Sequence, residues 1–177
     1  MKEIITLANM TFQVMIAKVT DFPRPVSVNL QVTKHCNLDC PYCFADLETL
    51  REVQDISTKE TFETIDELYK YGCRHIILMG GEPLIRTDIG EIIRYIKSKW
   101  MRCEIVTNGY FVECHVDDIK ICDSVCISLD GPKEVYDRLR GNGCHNKVLS
   151  AMKLLKEKKI KTRIHAILTR YNLEVGL

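Results

Sequence analysis

No run in the 177-residue sequence is apolar enough for long enough to cross a bilayer as a helix, so a membrane partner is not expected. The chain also lacks a charge excess. Its 25 Lys and Arg stand against 24 Asp and Glu, a net charge of +1, and no global field calls for nucleic acid or an anionic surface. The opening MKEIITLANMTFQVMIAKV is apolar in places, but Asn9, Gln13 and Lys18 interrupt it and no small-residue cleavage site follows. A secretory signal is therefore not expected. Low-complexity tracts and sequence repeats are missing too, which leaves one domain with a single sizeable core.

Cysteine is present in excess. Nine cysteines, an odd number without an export signal, fit a reducing cytoplasm in which some thiols bind metal better than a disulfide framework. Three of them, Cys36, Cys40 and Cys43, form C-x₃-C-x₂-C in CNLDCPYC. Three thiolates can hold three irons of a cubic 4Fe–4S cluster and leave the fourth iron open to a ligand that is not protein. Two other readings stand beside this one: three small buried thiols, or a zinc site that still needs a fourth ligand. His35 is adjacent, but neighbouring residues rarely reach one metal together, and it is read as structural.

From Pro25 onward the pattern alternates between strand and helix. Val26–Val32, His75–Met79, Glu104–Val106, Ser124–Leu129 and Arg163–Leu168 read as strands. Thr61–Tyr71 reads as a helix with Phe62, Ile65 and Tyr69 on one stripe, preceded by a capping box of Ser57 and Glu60. Asp88 and Glu91 start a second helix striped by Ile89, Ile92, Ile93 and Ile96; a third lies near Lys147–Lys158 with Val148, Met152 and Leu155 on one face. The first 24 residues fit no repeat and are read as an added helix or hairpin. Such alternation implies right-handed crossovers and a parallel sheet, with a site at the strands' C-terminal ends. Polar and glycine residues gather there: the cysteine loop, Gly80-Gly81-Glu82-Pro83, Asn108 and Asp130. The glycines allow close approach to the backbone and Glu82 can accept from a ligand ammonium, or the four residues are a plain turn.

The words CNLDCPYC, GGEPL, TNG, ISLDGP and DRLRG resemble the radical S-adenosylmethionine superfamily, over roughly Pro25 to Asn172. The resemblance implies a partial (β/α)₆ TIM-like barrel, here stopping after the fifth strand: a 25–177 core, incomplete, behind a 1–24 extension. It implies a cluster on Cys36, Cys40 and Cys43, with S-adenosylmethionine on its open iron. Gly80, Gly81 and Glu82 match the positions that hold the methionine ammonium, and Tyr42 the position beside the adenine. Ser128 matches a ribose or carboxylate contact, or is an ordinary strand serine. Arg140 suits a carboxylate, or is a solvated arginine on a charged turn. Asn108 serves the ligand or its own turn, and Asp130 faces substrate or caps the turn at Gly131. The resemblance further implies reductive cleavage to a 5′-deoxyadenosyl radical that abstracts a substrate hydrogen, a one-electron donor of flavodoxin or ferredoxin type, and a peptide or small-molecule substrate. The words look most like the SPASM-type branch that matures peptides and builds cofactors. A viperin-like enzyme acting on nucleotides and a non-catalytic iron–sulfur module are the alternatives. Cys114, His115, Cys122 and Cys126 are weighed as a second metal site against core and incidental thiols, and the latter reading is preferred.

Overall fold

In the computed structural model, which describes residues 25–43 and 54–173, the alternating pattern folds as strand–helix repeats. The expected N-terminal element lies outside the described residues. Strand β1 is Ser27–Thr33, β2 His75–Gly80, β3 Arg102–Thr107, β4 Ser124–Ser128 and β5 Thr162–His165. The intervening helices are α1 (Thr58–Lys70), α2 (Ile89–Ser98), α3 (Val112–Ile119), α4 (Lys133–Arg140) and α5 (Cys144–Glu157), with a 3₁₀ turn at Pro83–Ile85. All neighbouring strands pair in parallel in the order β1-β2-β3-β4-β5. This is the open, partial barrel that the alternation implies, with β1 and β5 at its two edges.

Alternation along each strand sorts the two faces of the sheet. Ile76 and Leu78 of β2, Cys103 and Ile105 of β3, and Val125 and Ile127 of β4 are fully buried in the core. They share that core with Ile89, Ile92, Ile93 and Ile96, the stripe read from the sequence of α2. Each such side chain contributes about 1.5–3 kcal/mol through burial. Met79 and Val106, from the alternate positions, line a cavity on the other, concave face. Lower on that face Glu104 pairs with Arg163, and His75 stands 3.5 Å from the same carboxylate.

The Ser57–Glu60 capping box is present at the start of α1. Phe62 stacks on Tyr95 at 4.0 Å, while Tyr69 is exposed at the helix end and carries the Arg74 guanidinium over its ring. Asp88 occupies the N-cap position of α2 but makes no capping bond. Its carboxylate instead takes Nε and Nη2 of buried Arg86, at 2.8 and 2.6 Å, and Thr58 Oγ1 at 2.6 Å. Arg86 Nη1 donates in turn to the carbonyls of Val32 and Ile56, fixing the end of β1.

Two helices escaped the sequence reading. α3 and α4 are eight residues each and rich in charge, so neither shows two full turns of apolar period. The reading of Arg140 as a solvated turn residue is corrected accordingly: it is the last residue of α4 and is buried. β5 is also shorter than the expected Arg163–Leu168. Past His165 the backbone leaves the ladder because Asp130 takes the Ile167 N–H and Asn172 donates to the Ile167 carbonyl.

Candidate functional site

The site begins with the loop after β1, whose backbone is bound to the end of β2. Gly81 N–H donates to Thr33 O at 2.9 Å and Glu82 N–H to His35 O at 2.8 Å. A Cβ on Gly80 would lie 2.2 Å from Thr33 O, and one on Gly81 would lie 2.2 Å from His35 O. The close approach that these glycines permit is first of all that of the cysteine loop. Thr33 Oγ1 and the Lys34 N–H add bonds to the Asp55 carboxylate at 2.5 and 3.0 Å.

Cys36, Cys40 and Cys43 all line one cavity of about 120 Å³ at the C-terminal ends of the strands. The Leu38 N–H donates to Cys36 Sγ at 3.4 Å, and Cys43 N–H to Cys40 O closes a tight turn between the last two cysteines. Burial pushes the Cys36 thiol up and the Cys40 thiol to about 11, with the Arg140 charge working in the opposite direction at both. Such thiols are protonated at neutral pH, so metal binding must displace protons from them. Among the described residues no three His, Cys, Asp or Glu side chains gather as for a single ion. Three thiols on one wall suit a cluster, in which each would meet a different iron. The grouping of Cys114, His115, Cys122 and Cys126, weighed against core and incidental thiols, does not assemble among the described residues: Cys114 is exposed, whereas Cys126 is buried.

Gly80, Gly81, Asn108, Ser128 and Arg140 line the same cavity, as does Tyr42. Glu82 lies behind this wall and is fully buried. Its Oε1 accepts from Leu84 N–H (3.1 Å) and Thr107 Oγ1 (2.8 Å), and its Oε2 from Asn108 N–H (2.7 Å). A carboxylate has about four acceptor sites, so one is left over. Burial raises the Glu82 carboxyl to about 7, against the pull of those three donors. The sign follows. Between the ordinary value of 4.5 and about 7 the folded protein holds a proton that the unfolded chain releases, so this group's stabilisation is lost as pH rises through that window. Burial lowers His75, which contributes in the opposite sense below its ordinary 6.5. Chemical unfolding of the wild type and Glu82→Gln between pH 5 and 8 separates the two. The stability gap should be largest at pH 5 and shrink toward pH 8; a gap independent of pH would mean that Glu82 does not titrate there.

Asn108 serves the turn read from it, and it also lines the cavity. Its Oδ1 accepts from Tyr110 N–H at 2.9 Å, an Asx turn, and its Nδ2 reaches across to Asn37 Oδ1 in the cysteine loop at 2.9 Å. Ser128 is the last residue of β4, with its carbonyl held by the Tyr136 hydroxyl at 2.9 Å. Arg140 Nε donates to Asp130 Oδ2 at 2.5 Å; burial opposes its charge, but the Asp130 carboxylate outweighs that and raises the guanidinium above its ordinary range. One edge of the guanidinium is thus committed to protein and the rest lines the cavity. Tyr42 donates to the same Oδ2 at 2.5 Å. Asp130 neither lines the cavity nor is exposed.

The sequence reading missed the contributions of Leu38, Thr107, His165 and Ile167 to the wall. For Thr107 a signal was present, since it follows the strand read as Glu104–Val106, where side chains meet the site; His165 falls inside the strand read as Arg163–Leu168 and ends β5 only in the structure. A larger hollow of about 490 Å³ lies where Tyr110 and Glu113 face Lys147 and Ser150, but no thiol reaches it. The chemistry selects the smaller cavity.

The family model described as the Radical SAM superfamily matches residues 30–174. Among curated proteins, the Fe-coproporphyrin III synthase of Methanosarcina barkeri is 31% identical over 154 residues, covering 84% of this chain and 38% of the relative. The PqqA peptide cyclase of Bradyrhizobium diazoefficiens is 28% identical over 158 residues, covering 86% and 41% respectively. This chain therefore spans about two fifths of the length of the curated relatives it matches. Among solved structures, Streptococcus suis SuiB bound to S-adenosylmethionine superposes with a TM-score of 0.73 at 20% identity, over 93% of this chain and 38% of that one, a likeness of fold. With the sheet order, the cavity at the strand ends and a family match over most of its length, the chain belongs to the radical SAM superfamily of enzymes.

Proposed function

We propose that residues 25–177 form a radical SAM core that holds a 4Fe–4S cluster on Cys36, Cys40 and Cys43 and binds S-adenosylmethionine beside it. The observation that carries this reading is the convergence of those thiols with Gly81, Ser128 and Arg140 on one cavity. When bound, the two groups supply reductive cleavage to a 5′-deoxyadenosyl radical, which takes a hydrogen from substrate. The chain's own residues supply placement. Arg140 offers the free part of a planar fork to a carboxylate, while Glu82, buried behind the wall, holds the ends of β2 and β3 in place through Thr107 and Asn108. Tyr42 presents its ring to the cavity beside the cysteines, suited to stacking on a purine. Leu38, Met79, Val106 and Ile167 make the wall partly apolar and help exclude water.

The cytoplasm, with a flavodoxin- or ferredoxin-type electron donor, suits a site of this kind. Peptide maturation or cofactor building is the role we assign. It draws on the names of relatives, which include a peptide cyclase and a porphyrin synthase. The test is an anaerobic titration of the iron- and sulfide-reconstituted protein with S-adenosylmethionine, read by the paramagnetic spectrum of the reduced cluster. A saturable spectral change is expected. A spectrum indifferent to the ligand, on a fully loaded cluster, would reduce the chain to an iron–sulfur module.

A further inference from the structure

We propose that Asp130 is a positioning residue whose carboxylate braces the cysteine loop and Arg140 against the ends of β4 and β5, so that the loop and the guanidinium take their places together. Its first support is a shared acceptor. The hydroxyl of Tyr42 and Nε of Arg140 both end on Asp130 Oδ2, each at 2.5 Å. Tyr42 lies between Cys40 and Cys43, so this bond reaches into the loop from a residue 88 positions away. The second is that the brace is itself held. Asp130 Oδ1 accepts from Ile167 N–H at 2.9 Å, and Asn172 Nδ2 donates to the carbonyls of Asp130 (2.8 Å) and Ile167 (2.7 Å).

Neither role read from the sequence accounts for these bonds. A substrate-facing carboxylate would be exposed to the cavity, whereas Asp130 has no exposed surface. A cap for the turn at Gly131 would accept from that turn, whereas its carboxylate acceptors serve Tyr42, Arg140 and Ile167. The Arg140 guanidinium lies 5.7 Å from the Tyr42 ring centroid, so the two held groups also touch each other's field. Removing the carboxylate charge leaves a buried arginine without its counter-ion and the tyrosine without its acceptor, and both must rearrange.

The brace is testable in the metal-free protein, independently of any cofactor. Wild type, Tyr42→Phe, Asp130→Asn and the double variant are labelled with N-ethylmaleimide at one pH. Labelling of Cys40 and Cys43 is read by fragmentation of the tryptic peptide His35–Arg51, with the core thiols Cys73 and Cys103 as fold controls. Tyr42→Phe should speed labelling of Cys40 and Cys43 about threefold or more, as expected for one lost hydrogen bond. Asp130→Asn should do at least as much, and the double variant no more than Asp130→Asn, because both act through one bond. Unchanged labelling in both single variants, or additive effects in the double, overturns the brace. If Asp130→Asn also exposes Cys73, the Tyr42→Phe result decides alone.

The link to Arg140 rests on the function proposed above and is read on reconstituted protein. Asp130→Asn should keep its iron and sulfide and bind S-adenosylmethionine about tenfold more weakly or worse. Equal affinity in a wild type that binds would remove the Arg140 half of the inference. A wild type that does not bind removes the proposed function and leaves the labelling result standing.

Discussion

Changing Cys40 to alanine is expected to abolish the reconstituted cluster and every activity that depends on it, while the chain stays folded. The three thiols line one wall and come from one short loop, and among the described residues no fourth cysteine lines that cavity. If each thiolate meets a separate iron, removing one leaves two irons of a cubic cluster without a protein ligand. The fold should tolerate the change. Cys40 is half-buried in a loop, and among the described residues no bond of its side chain holds a secondary-structure element. We expect a loss of stability below about 1 kcal/mol. Cys73→Ala provides the contrast. Its thiol is fully buried in the core, so stability should fall while iron content survives. Iron and sulfide assays before and after desalting, beside urea unfolding of the metal-free proteins, give both quantities. Retention of full iron and sulfide by Cys40→Ala would place the cluster elsewhere.

The sequence made the frame of this site legible because its signals are local. C-x₃-C-x₂-C, the isoleucine stripe of α2 and the Ser57–Glu60 box each lie within a few residues; the stripe and the box appear in the structure as read, and the three cysteines line one cavity. What was not legible is set by contacts far apart in the chain. Asp130 has one identity in the sequence and three partners in the fold, 88, 10 and 37 residues distant. Arg140 reads as a charged surface residue because its helix is short and polar; only the buried carboxylate of Asp130 makes its burial tolerable. Glu82 is the instructive case. In the sequence it is a ligand contact or a turn residue. In the structure its carboxylate joins the ends of β2 and β3 through Thr107 and Asn108, so a change meant to probe binding also disturbs the wall. For that reason Glu82→Gln, which keeps shape, is a better probe than Glu82→Ala, which leaves three donors without their acceptor.

Gly81→Ala should damage this protein severely for so small an exchange. Gly81 is not among the glycines with positive φ, so its backbone conformation alone does not demand glycine. The demand is spatial. An added Cβ would sit 2.2 Å from the carbonyl oxygen of His35 and 2.6 Å from its carbonyl carbon, and both are main-chain atoms that cannot rotate away. Relief requires the cysteine loop to move off β2. That movement breaks the bonds from Gly81 N–H to Thr33 O and from Glu82 N–H to His35 O. It also loosens the turn in which Glu82 is buried. Two lost hydrogen bonds and a strained core turn together cost about 3–5 kcal/mol. Because the displaced segment carries Cys36, cluster loading should fall with stability. Gly143→Ala isolates the conformational part. Gly143 has φ +82° with nothing within 4 Å of its would-be Cβ, so its cost should be only about 1 kcal/mol, with loading intact. Urea midpoints and iron content for the two variants decide the matter. If Gly81→Ala is no more harmful than Gly143→Ala, the loop is not seated on the glycine backbone, and the Gly-Gly pair must be explained by the ligand alone.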